Sequence, residues 1–227
     1  RPPRSTLLPC TTLFRSLLMM TARRAGGGER EVRAGKWTGW RPTHLVGTSI
    51  TRKTLGIIGF GRIGQAMARR AHFGFGMKII AQSRSPVDPV ILAETSAVRF
   101  DTIEQLLQEC DFLSLHCPGG AANRHLINAD RLAQMKTTAI LINTARGEVV
   151  DEAALVDALK SGQIAGAGLD VFEDEPKVHP GLIECENAVL LPHLGSSTRE
   201  TRVEMGMRAL RNIQQYFDGS EPGDRVN

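Results

Sequence analysis

The sequence lacks the features that mark disulfide-stabilised, membrane-spanning or metal-binding proteins. Its 227 residues include only four cysteines, Cys10, Cys110, Cys117 and Cys185, and no two of them form a C-x-x-C pair. Scattered cysteines of this kind predict buried thiols in a reducing compartment rather than a disulfide framework or a zinc site. No apolar run approaches the length of a membrane-spanning helix. We therefore expect a cytoplasmic protein that does not enter a membrane and binds no metal.

The sequence also lacks the concentrated positive charge of a nucleic-acid-binding protein. Its net charge is +4, but residues 1–28 contain five arginines and no acidic residue. The rest of the chain carries 23 basic and 24 acidic side chains. Because this larger part is not basic, no nucleic-acid partner is expected.

A glycine motif is the feature around which the chain is organised. An apolar run over residues 54–59 predicts a buried strand, a helical pattern follows over residues 62–73, and a second strand is expected at residues 77–82. In a G-x-G-x-x-G motif between strand and helix, the glycines permit a tight turn, a close approach to a pyrophosphate and close packing of the helix on the strand. The motif predicts a dinucleotide site. The expected contacts are Gly59, Gly61, Arg62, Ile63 and Gly64.

Predicted strands and helices alternate along the rest of the chain. The further strands are predicted at residues 97–100, 112–116, 138–142, 166–170 and 188–191. The further helices are predicted at residues 102–109, 128–134, 151–161 and 197–217, with Thr102 and Asp151 as N-caps. Apolar strands that alternate with helices indicate a parallel sheet covered on both faces. The predicted fold is α/β, a doubly wound parallel sheet of the Rossmann type.

The outer parts of the chain are expected to differ from this domain. The predicted segments are a head at 1–16, a helix end and connector at 17–53, a dinucleotide-binding domain at 54–197 and a closing helix at 198–227. The head has no clear helical or strand period, so we expect it to be disordered. It is typical of translated sequencing-adapter read-through, and a transit peptide is the alternative, because it is rich in Arg, Ser and Thr and lacks acids. In the connector, Trp37 and Trp40 are expected to pack in the core or at an interface.

The end of the second predicted strand lacks the acidic residue that favours NAD. In this fold, an Asp or Glu about 20 residues beyond the glycines bonds the ribose 2′-hydroxyl, whereas an Arg accommodates a 2′-phosphate. Here Ser83 takes that place and Arg84 follows it. A hydroxyl and a guanidinium can both bond a phosphate, so the sequence favours NADP(H). NAD(H) is possible if Arg84 is merely an exposed loop residue.

Three charged residues each follow a different strand in the second half of the chain. They are Arg146, Glu175 and His193. Ligands in open α/β sheets bind beyond the carboxyl ends of the strands, so we expect the three to converge near the nicotinamide. An Arg can hold a substrate carboxylate, a His can protonate the oxygen as hydride reaches the carbonyl carbon, and a Glu can orient that His. Taken singly, they are also typical of a solvated loop, an acidic turn and a capping histidine.

Five motifs in order resemble signatures of the D-isomer-specific 2-hydroxyacid dehydrogenases. They are GFGRIG at 59–64, His-Cys-Pro at 116–118, INTARG at 142–147, GLDVFEDEP at 168–176 and PHLGSST at 192–198. Within that family the chain resembles the glyoxylate/hydroxypyruvate reductase branch, because Ser83 and Arg84 replace the acid of NAD-using members. The resemblance extends from about residue 17 to the end.

The resemblance implies a role for each candidate residue. Arg146 would bind the substrate, His193 would be the acid/base, and Glu175, which directly precedes a proline as in the family, would pair with His193. Asp170 would bond the nicotinamide carboxamide. The other implied cofactor contacts are Cys117 and Pro118 on the adenine side, Thr144 and Ala145 along the nicotinamide ring, and Gly195.

The implied activity is hydride transfer between NADP(H) and a small 2-keto or 2-hydroxy acid such as glyoxylate or hydroxypyruvate. Two alternatives stay open: an NAD-linked, phosphoglycerate-type dehydrogenase and a non-enzymatic, nucleotide-sensing module of the corepressor kind. The resemblance also implies a homodimer built through the dinucleotide domain. In the family that domain is inserted in a substrate domain whose N-terminal part has no counterpart here, so we expect the chain to be a fragment.

Overall fold

Seven parallel strands form the centre of the molecule in a computed structural model that describes residues 10–225. The strands are β1 Thr54–Ile58, β2 Lys78–Gln82, β3 Val98–Arg99, β4 Phe112–Leu115, β5 Ile140–Asn143, β6 Gly166–Leu169 and β7 Ala188–Leu190. Their order in the sheet is β3-β2-β1-β4-β5-β6-β7, and every neighbouring pair is parallel. The chain runs outward from β1 to β3, then crosses to β4 and continues to β7. This reversal confirms the predicted doubly wound fold and places a crevice beyond the carboxyl ends of β1 and β4.

Helices connect the strands and cover the sheet. They are α1 Cys10–Ala22, α2 Ala25–Arg33, α3 Arg62–Phe75, α4 Pro89–Glu94, α5 Ile103–Glu109, α6 Ala129–Ala133, α7 Glu152–Lys160, α8 Pro180–Ile183 and α9 Arg199–Phe217. Both predicted N-caps are confirmed: Thr102 accepts a hydrogen bond from Gln105 N at 3.3 Å, and Asp151 accepts one from Ala154 N at 3.0 Å. Within the described part of the chain, no helix is both long enough and apolar enough to cross a membrane.

The apolar core is divided between the two faces of the sheet. Successive residues of a strand point to opposite faces, and on β1 the side chains of Leu55 and Ile57 join one buried cluster while Ile58 joins the other. The first cluster packs against α1 and α3, and the second packs against α5 and α7. Every residue of β4, β5 and β6 and four of the five residues of β1 are therefore buried, as expected for a sheet covered on both sides, whereas both residues of the edge strand β3 are exposed.

Helix α1 corrects the prediction of a disordered head. It begins at Cys10, so residues 10–16 are helical, and Phe14 is completely buried beside Leu17 and Leu18. These three residues have helical spacing, but the boundary predicted after residue 16 separates Phe14 from the other two. The helix end expected at 17–24 is thus the second half of a longer helix. Residues 1–9 lie outside the described part, and the predicted origin of the head stays a prediction.

The connector also differs from the prediction. Helix α2, which lies in the predicted connector, includes three consecutive glycines, Gly26 to Gly28, although glycine is a poor helix former. Trp37 and Trp40 are 55% and 83% exposed, so the prediction that they fill the core is wrong for the single chain. A place at an interface between chains stays a prediction.

From residue 54 onward, the two short α-helices α4 and α8 were not predicted, whereas the boundaries of the predicted elements fall within two residues of those in the structure. Helices α4 and α8 each begin with a proline that follows a capping side chain, Asp88 and His179 respectively. Cys110, Cys117 and Cys185 are buried free thiols, which confirms that part of the expectation from cysteine spacing.

Replacing the buried ring of helix α1 tests the correction of the head. Phe14→Ala removes a fully buried aromatic side chain and is expected to lower the free energy of unfolding by about 3–5 kcal/mol. The matched control is Phe73→Ala on α3, where the ring is 69% exposed and the expected change is below about 0.5 kcal/mol. Urea unfolding followed by circular dichroism measures both. Equal stabilities of the two variants would show that the start of α1 does not pack on the sheet.

Candidate active site

The turn from β1 to α3 has the geometry that the glycine spacing predicts. Gly59 has φ +91°, and a Cβ atom there would lie 2.6 Å from the backbone of His116 and Cys117. A Cβ atom at Gly64 would lie 2.4 Å from the carbonyl oxygen of Gly59. In contrast, a Cβ atom at Gly61 would meet no atom within 4 Å. Two glycines therefore permit close backbone packing, and the third borders open space.

That open space lies at the N-terminus of helix α3. Gly61 is the N-cap and offers no side chain to bond the first backbone N–H groups, which have no acceptor within the helix. Arg62 and Ile63, the next two residues, are exposed. An uncapped helix N-terminus carries partial positive charge, so this end of α3 favours an anion such as a pyrophosphate.

The end of β2 lies beside this helix end. Ser83 is half-buried and Arg84 is exposed, and Gly59 N donates to the carbonyl oxygen of Gln82 at 2.9 Å. Burial raises the pKa of the Cys117 thiol, and the positive charge of Arg84 opposes that rise. Arg84 is thus close enough to influence the loop after β4, where Pro118 is exposed. The residues predicted for the adenosine half of the cofactor therefore surround one end of the crevice.

The loop after β5 carries Arg146. Asn143, which is 1% exposed, donates from Nδ2 to the carbonyl oxygen of Arg146 at 2.9 Å and accepts from Ala145 N at 3.0 Å. At Gly147 a Cβ atom would collide with the backbone of Phe172, so the loop lies directly against the segment after β6. Asn143 was missed by the sequence reasoning, although an Asn at the end of an apolar strand is typical of a side chain that closes a turn.

The segment after β6 carries Glu175 next to His193. His193 Nδ1 lies 2.8 Å from Glu175 Oε2, and Phe172 N donates to Glu175 Oε1 at 3.0 Å. Burial alone would raise the pKa of Glu175, but these two hydrogen bonds and the positive charges of His193 and Arg146 lower it below its ordinary value. The carboxylate form is thus favoured, and it accepts the Nδ1 proton of the imidazole.

A groove of about 840 Å³ brings the three charged candidates together. It is lined by Arg146, Glu175 and His193, which come from the loops after β5, β6 and β7, as expected from the position of the strand ends. The His193 side chain is about half exposed, so with Nδ1 bound to Glu175 its Nε2 is left for a molecule in the groove. The predicted convergence of these three residues is what the structure shows.

Asp170 holds the loop that presents His193. The carboxylate is 1% exposed and accepts hydrogen bonds from Leu194 N at 2.7 Å and Gly195 N at 2.8 Å. The backbone N–H of His193 donates to the carbonyl oxygen of the same aspartate at 2.9 Å. Burial raises the pKa of Asp170, although the two hydrogen bonds to its carboxylate act in the opposite direction. Sequence reasoning gave Asp170 a cofactor contact and missed its bonds to the loop.

A second buried acid supports the turn that carries Glu175. Glu152, at the start of α7, is 6% exposed and accepts a hydrogen bond from Glu173 N at 2.8 Å. Burial raises the pKa of Glu152, and the bonds from the backbone of Glu173 and His179 oppose the rise. No sequence pattern predicts this role for Glu152, because its partner, Glu173, is distant in the chain.

The crevice fits a nicotinamide dinucleotide on three structural observations. The space above Gly61 is open, the N-terminus of α3 has no side-chain cap, and the buried hydroxyl of Thr144 has no hydrogen-bond partner among the described residues. Thr144 follows β5, which is separated from β1 and its glycine turn by β4 alone, and it lies two residues before Arg146 of the groove. A pyrophosphate at the helix and an amide near Thr144 would satisfy these groups. No cluster of His, Cys, Asp or Glu side chains with the arrangement of a metal site occurs within residues 10–225.

Comparison with known proteins gives a family match over most of the chain. The model of the NAD-binding domain of D-isomer specific 2-hydroxyacid dehydrogenases matches residues 15–195. The chain is 48% identical over 216 residues to a glyoxylate reductase from Thermococcus litoralis, an alignment that covers 93% of this chain and 64% of the relative. The chain therefore spans about 64% of the length of that relative.

Solved structures give the same result. A D-mandelate dehydrogenase from Rhodotorula graminis, in its holo form, has a TM-score of 0.90 at 32% identity and covers 100% of this chain and 68% of its own. An NADPH-dependent glyoxylate/hydroxypyruvate reductase from Sinorhizobium meliloti, in complex with NADP and malonate, has a TM-score of 0.85 at 36% identity. Its alignment covers 95% of this chain and 66% of the reductase chain. The sequence comparisons thus show the family, and the structural comparisons show the nucleotide-binding fold.

Removing the charge of Asp170 tests its bonds to the His193 loop. Asp170→Asn keeps the size of the side chain but leaves a single acceptor oxygen, so one backbone N–H faces an NH₂ group, at an expected cost of about 1–3 kcal/mol. Amide hydrogen exchange at Leu194 and Gly195 is expected to accelerate at least about fivefold, while exchange within β1 is unchanged. The control is Asp174→Asn, the same change at an exposed position. Unaltered exchange at both amides in Asp170→Asn would contradict the assignment.

Proposed function

Since the chain belongs to the D-isomer-specific 2-hydroxyacid dehydrogenase family, we propose that it is the nucleotide-binding part of an NADP(H)-dependent reductase of small 2-keto acids. The observation that carries the proposal is the groove in which Arg146, Glu175 and His193 meet at one end of the dinucleotide crevice. The substrates proposed are glyoxylate and hydroxypyruvate, because the names of the Thermococcus and Sinorhizobium relatives include these acids.

Three parts of the crevice would hold the cofactor. The glycine turn with Gly59, Gly61, Arg62, Ile63 and Gly64 would bind the pyrophosphate at the N-terminus of α3. Ser83 and Arg84 would bind the 2′-phosphate, with Cys117 and Pro118 along the adenine. The nicotinamide would lie against Thr144, Ala145, Asp170 and Gly195, where the unpartnered Thr144 hydroxyl offers a hydrogen bond.

The groove residues would act on the substrate. Bound NADP(H) supplies the hydride. Arg146 has an exposed guanidinium with donors in a planar fork, which suits the carboxylate of a 2-keto acid. His193 Nε2 would donate a proton to the carbonyl oxygen as that carbon is reduced, and would take it back in the reverse reaction. Glu175 accepts the Nδ1 proton at 2.8 Å and thereby fixes the ring with Nε2 toward the groove.

Substitution of His193 tests the proposed acid/base. In a chimaera that joins this chain to the remaining part of the Thermococcus litoralis relative, His193→Ala is expected to lower kcat/KM for glyoxylate by about 10²- to 10⁴-fold. The dissociation constant for NADPH is expected to stay within about twofold, because His193 lies in the substrate groove. Steady-state absorbance at 340 nm and a fluorescence titration measure the two quantities.

The control for that experiment is His72→Ala, a half-buried histidine near the end of α3. Full turnover by the His193 variant would reject the acid/base role. A chimaera that binds NADPH but reduces no keto acid would instead favour the nucleotide-sensing alternative.

Substitution of Arg84 tests the cofactor preference in the chain itself. A hydrogen-bonded charge on a phosphate is worth about 1.5–3 kcal/mol, so Arg84→Ala is expected to raise the dissociation constant for NADPH by about tenfold or more. The value for NADH is expected to change less than about twofold, since NADH has no 2′-phosphate. Fluorescence titration with each nucleotide measures the ratio. If the unaltered chain binds NADH as tightly as NADPH, the result favours the alternative function, that of an NAD-linked dehydrogenase.

A further inference from the structure

A second arginine lies near the end of β2, beside Ser83 and Arg84, which the sequence predicts to bind a 2′-phosphate. Arg99 is the last residue of strand β3, and its Nη2 donates to the carbonyl oxygen of Ser83 at 3.4 Å. We propose that Arg99 is a further residue that selects NADP(H), binding the 2′-phosphate together with Arg84. This inference rests on the proposed cofactor preference and adds a contact from a different strand.

The sheet register holds Arg99 beside this position. Strands β2 and β3 pair with Ala81 opposite Arg99, and Phe100 N donates to the carbonyl oxygen of Ala81 at 2.8 Å. The backbone of Arg99 is therefore level with the end of β2, two residues before Ser83 in register. β3 is the edge strand of the sheet, and the Arg99 side chain is exposed. Its guanidinium reaches the carbonyl of Ser83 from the open edge.

Most of the donor capacity of Arg99 is unused. A guanidinium has five N–H groups, and the bond to Ser83 is long, at 3.4 Å. Within residues 10–225, neither Arg84 nor Arg99 has a carboxylate within ion-pair distance. Two arginines without anionic partners thus lie at one strand end.

The acidic residues between β2 and β3 do not neutralise these arginines. Glu94 receives two hydrogen bonds from Arg69 on α3, at 2.6 Å and 2.5 Å. Asp88 accepts from Val90 N at 2.9 Å as the cap of α4. Both carboxylates of this segment are therefore engaged elsewhere. A third carboxylate, that of Asp101 just beyond β3, is exposed and forms no ion pair with Arg84 or Arg99 within residues 10–225. A phosphate that approaches Ser83 would meet two guanidinium groups and a hydroxyl.

A 2′-phosphate matches this arrangement better than a 2′-hydroxyl does. Guanidinium groups bind phosphate through charge-assisted hydrogen bonds, and two of them from separate strands can contact different oxygens of one phosphate. A neutral 2′-hydroxyl gains no charge interaction from either group. Removal of Arg99 should therefore change the affinity for the phosphorylated nucleotide alone.

The test uses the 227-residue chain and two small probes that differ only at the 2′ position. Isothermal titration calorimetry with adenosine 2′,5′-bisphosphate and with adenosine 5′-monophosphate reports the phosphate contribution without the nicotinamide or any catalysis. Arg99→Ala is expected to weaken the bisphosphate by about tenfold and the monophosphate by less than about twofold. Arg99→Lys, which keeps the charge but not the planar fork, is expected to lie between Arg99→Ala and the unaltered chain.

The matched control removes a positive charge from the opposite end of the neighbouring strand, β2. Lys78 is exposed at the start of β2, and Lys78→Ala is expected to leave the affinity for both probes unchanged. If neither probe binds measurably, fluorescence titrations with NADPH and NADH on the same variants decide by the same criteria.

The outcomes separate the two proposals. If Arg84→Ala abolishes the preference for the 2′-phosphate and Arg99→Ala leaves it intact, the role of Arg99 is overturned while the NADP(H) preference stands. If the unaltered chain shows no preference, or binds neither dinucleotide, both are overturned. Equal weakening of the two probes by Arg99→Ala also overturns the inference, because it would show a general effect on the site.

Discussion

At Gly59 the backbone leaves β1 with φ +91°, and a Cβ atom there would lie 2.6 Å from the backbone after β4. This contact fixes the distance between the β1 turn and the neighbouring loop, and so sets the width of the crevice at the reversal of strand order. The same turn aims the N-terminus of α3 into the crevice, and Gly64 lets the helix lie against the Gly59 carbonyl. The position of the proposed pyrophosphate site therefore depends on the absence of side chains at two residues.

At the other end of the crevice, buried polar side chains have the corresponding role. Asn143 bonds the backbone of the Arg146 loop, Asp170 bonds the backbone of the His193 loop, and Glu152 bonds the turn that carries Glu175. Each is at most 6% exposed and satisfies backbone groups that no strand or helix can pair. The cost of burying two carboxyl groups is offset by these bonds, and the result is a groove whose charged residues project from fixed loops.

Parts of this organisation are readable from the sequence, and the reason differs from part to part. Buried parallel strands are continuous apolar runs, so strands such as β4 and β5 are recognisable, and Arg146, Glu175 and His193 could be placed together because parallel strands end at one edge. Helix α2 forms despite the poor helix propensity of its glycines; none of its residues is buried, and it contacts the end of the sheet through the ion pair of Arg30 with Glu186. The roles of Glu152 and Arg99 depend on partners brought close only by the folded sheet, and no local pattern indicates them.

Different groups in the crevice would determine how tightly a nucleotide binds and whether NADP is preferred to NAD. The glycine turn and the helix N-terminus offer backbone N–H groups, which would attract the pyrophosphate common to NAD and NADP and cannot distinguish the two. Discrimination falls to side chains at the end of β2, where Ser83 and Arg84 stand in place of an acid. These charges are exposed to solvent and partly screened, so each adds a modest increment. A strong preference for one nucleotide therefore requires several such groups on one phosphate, which is the arrangement that Arg84, in the loop after β2, and Arg99, at the end of β3, make possible.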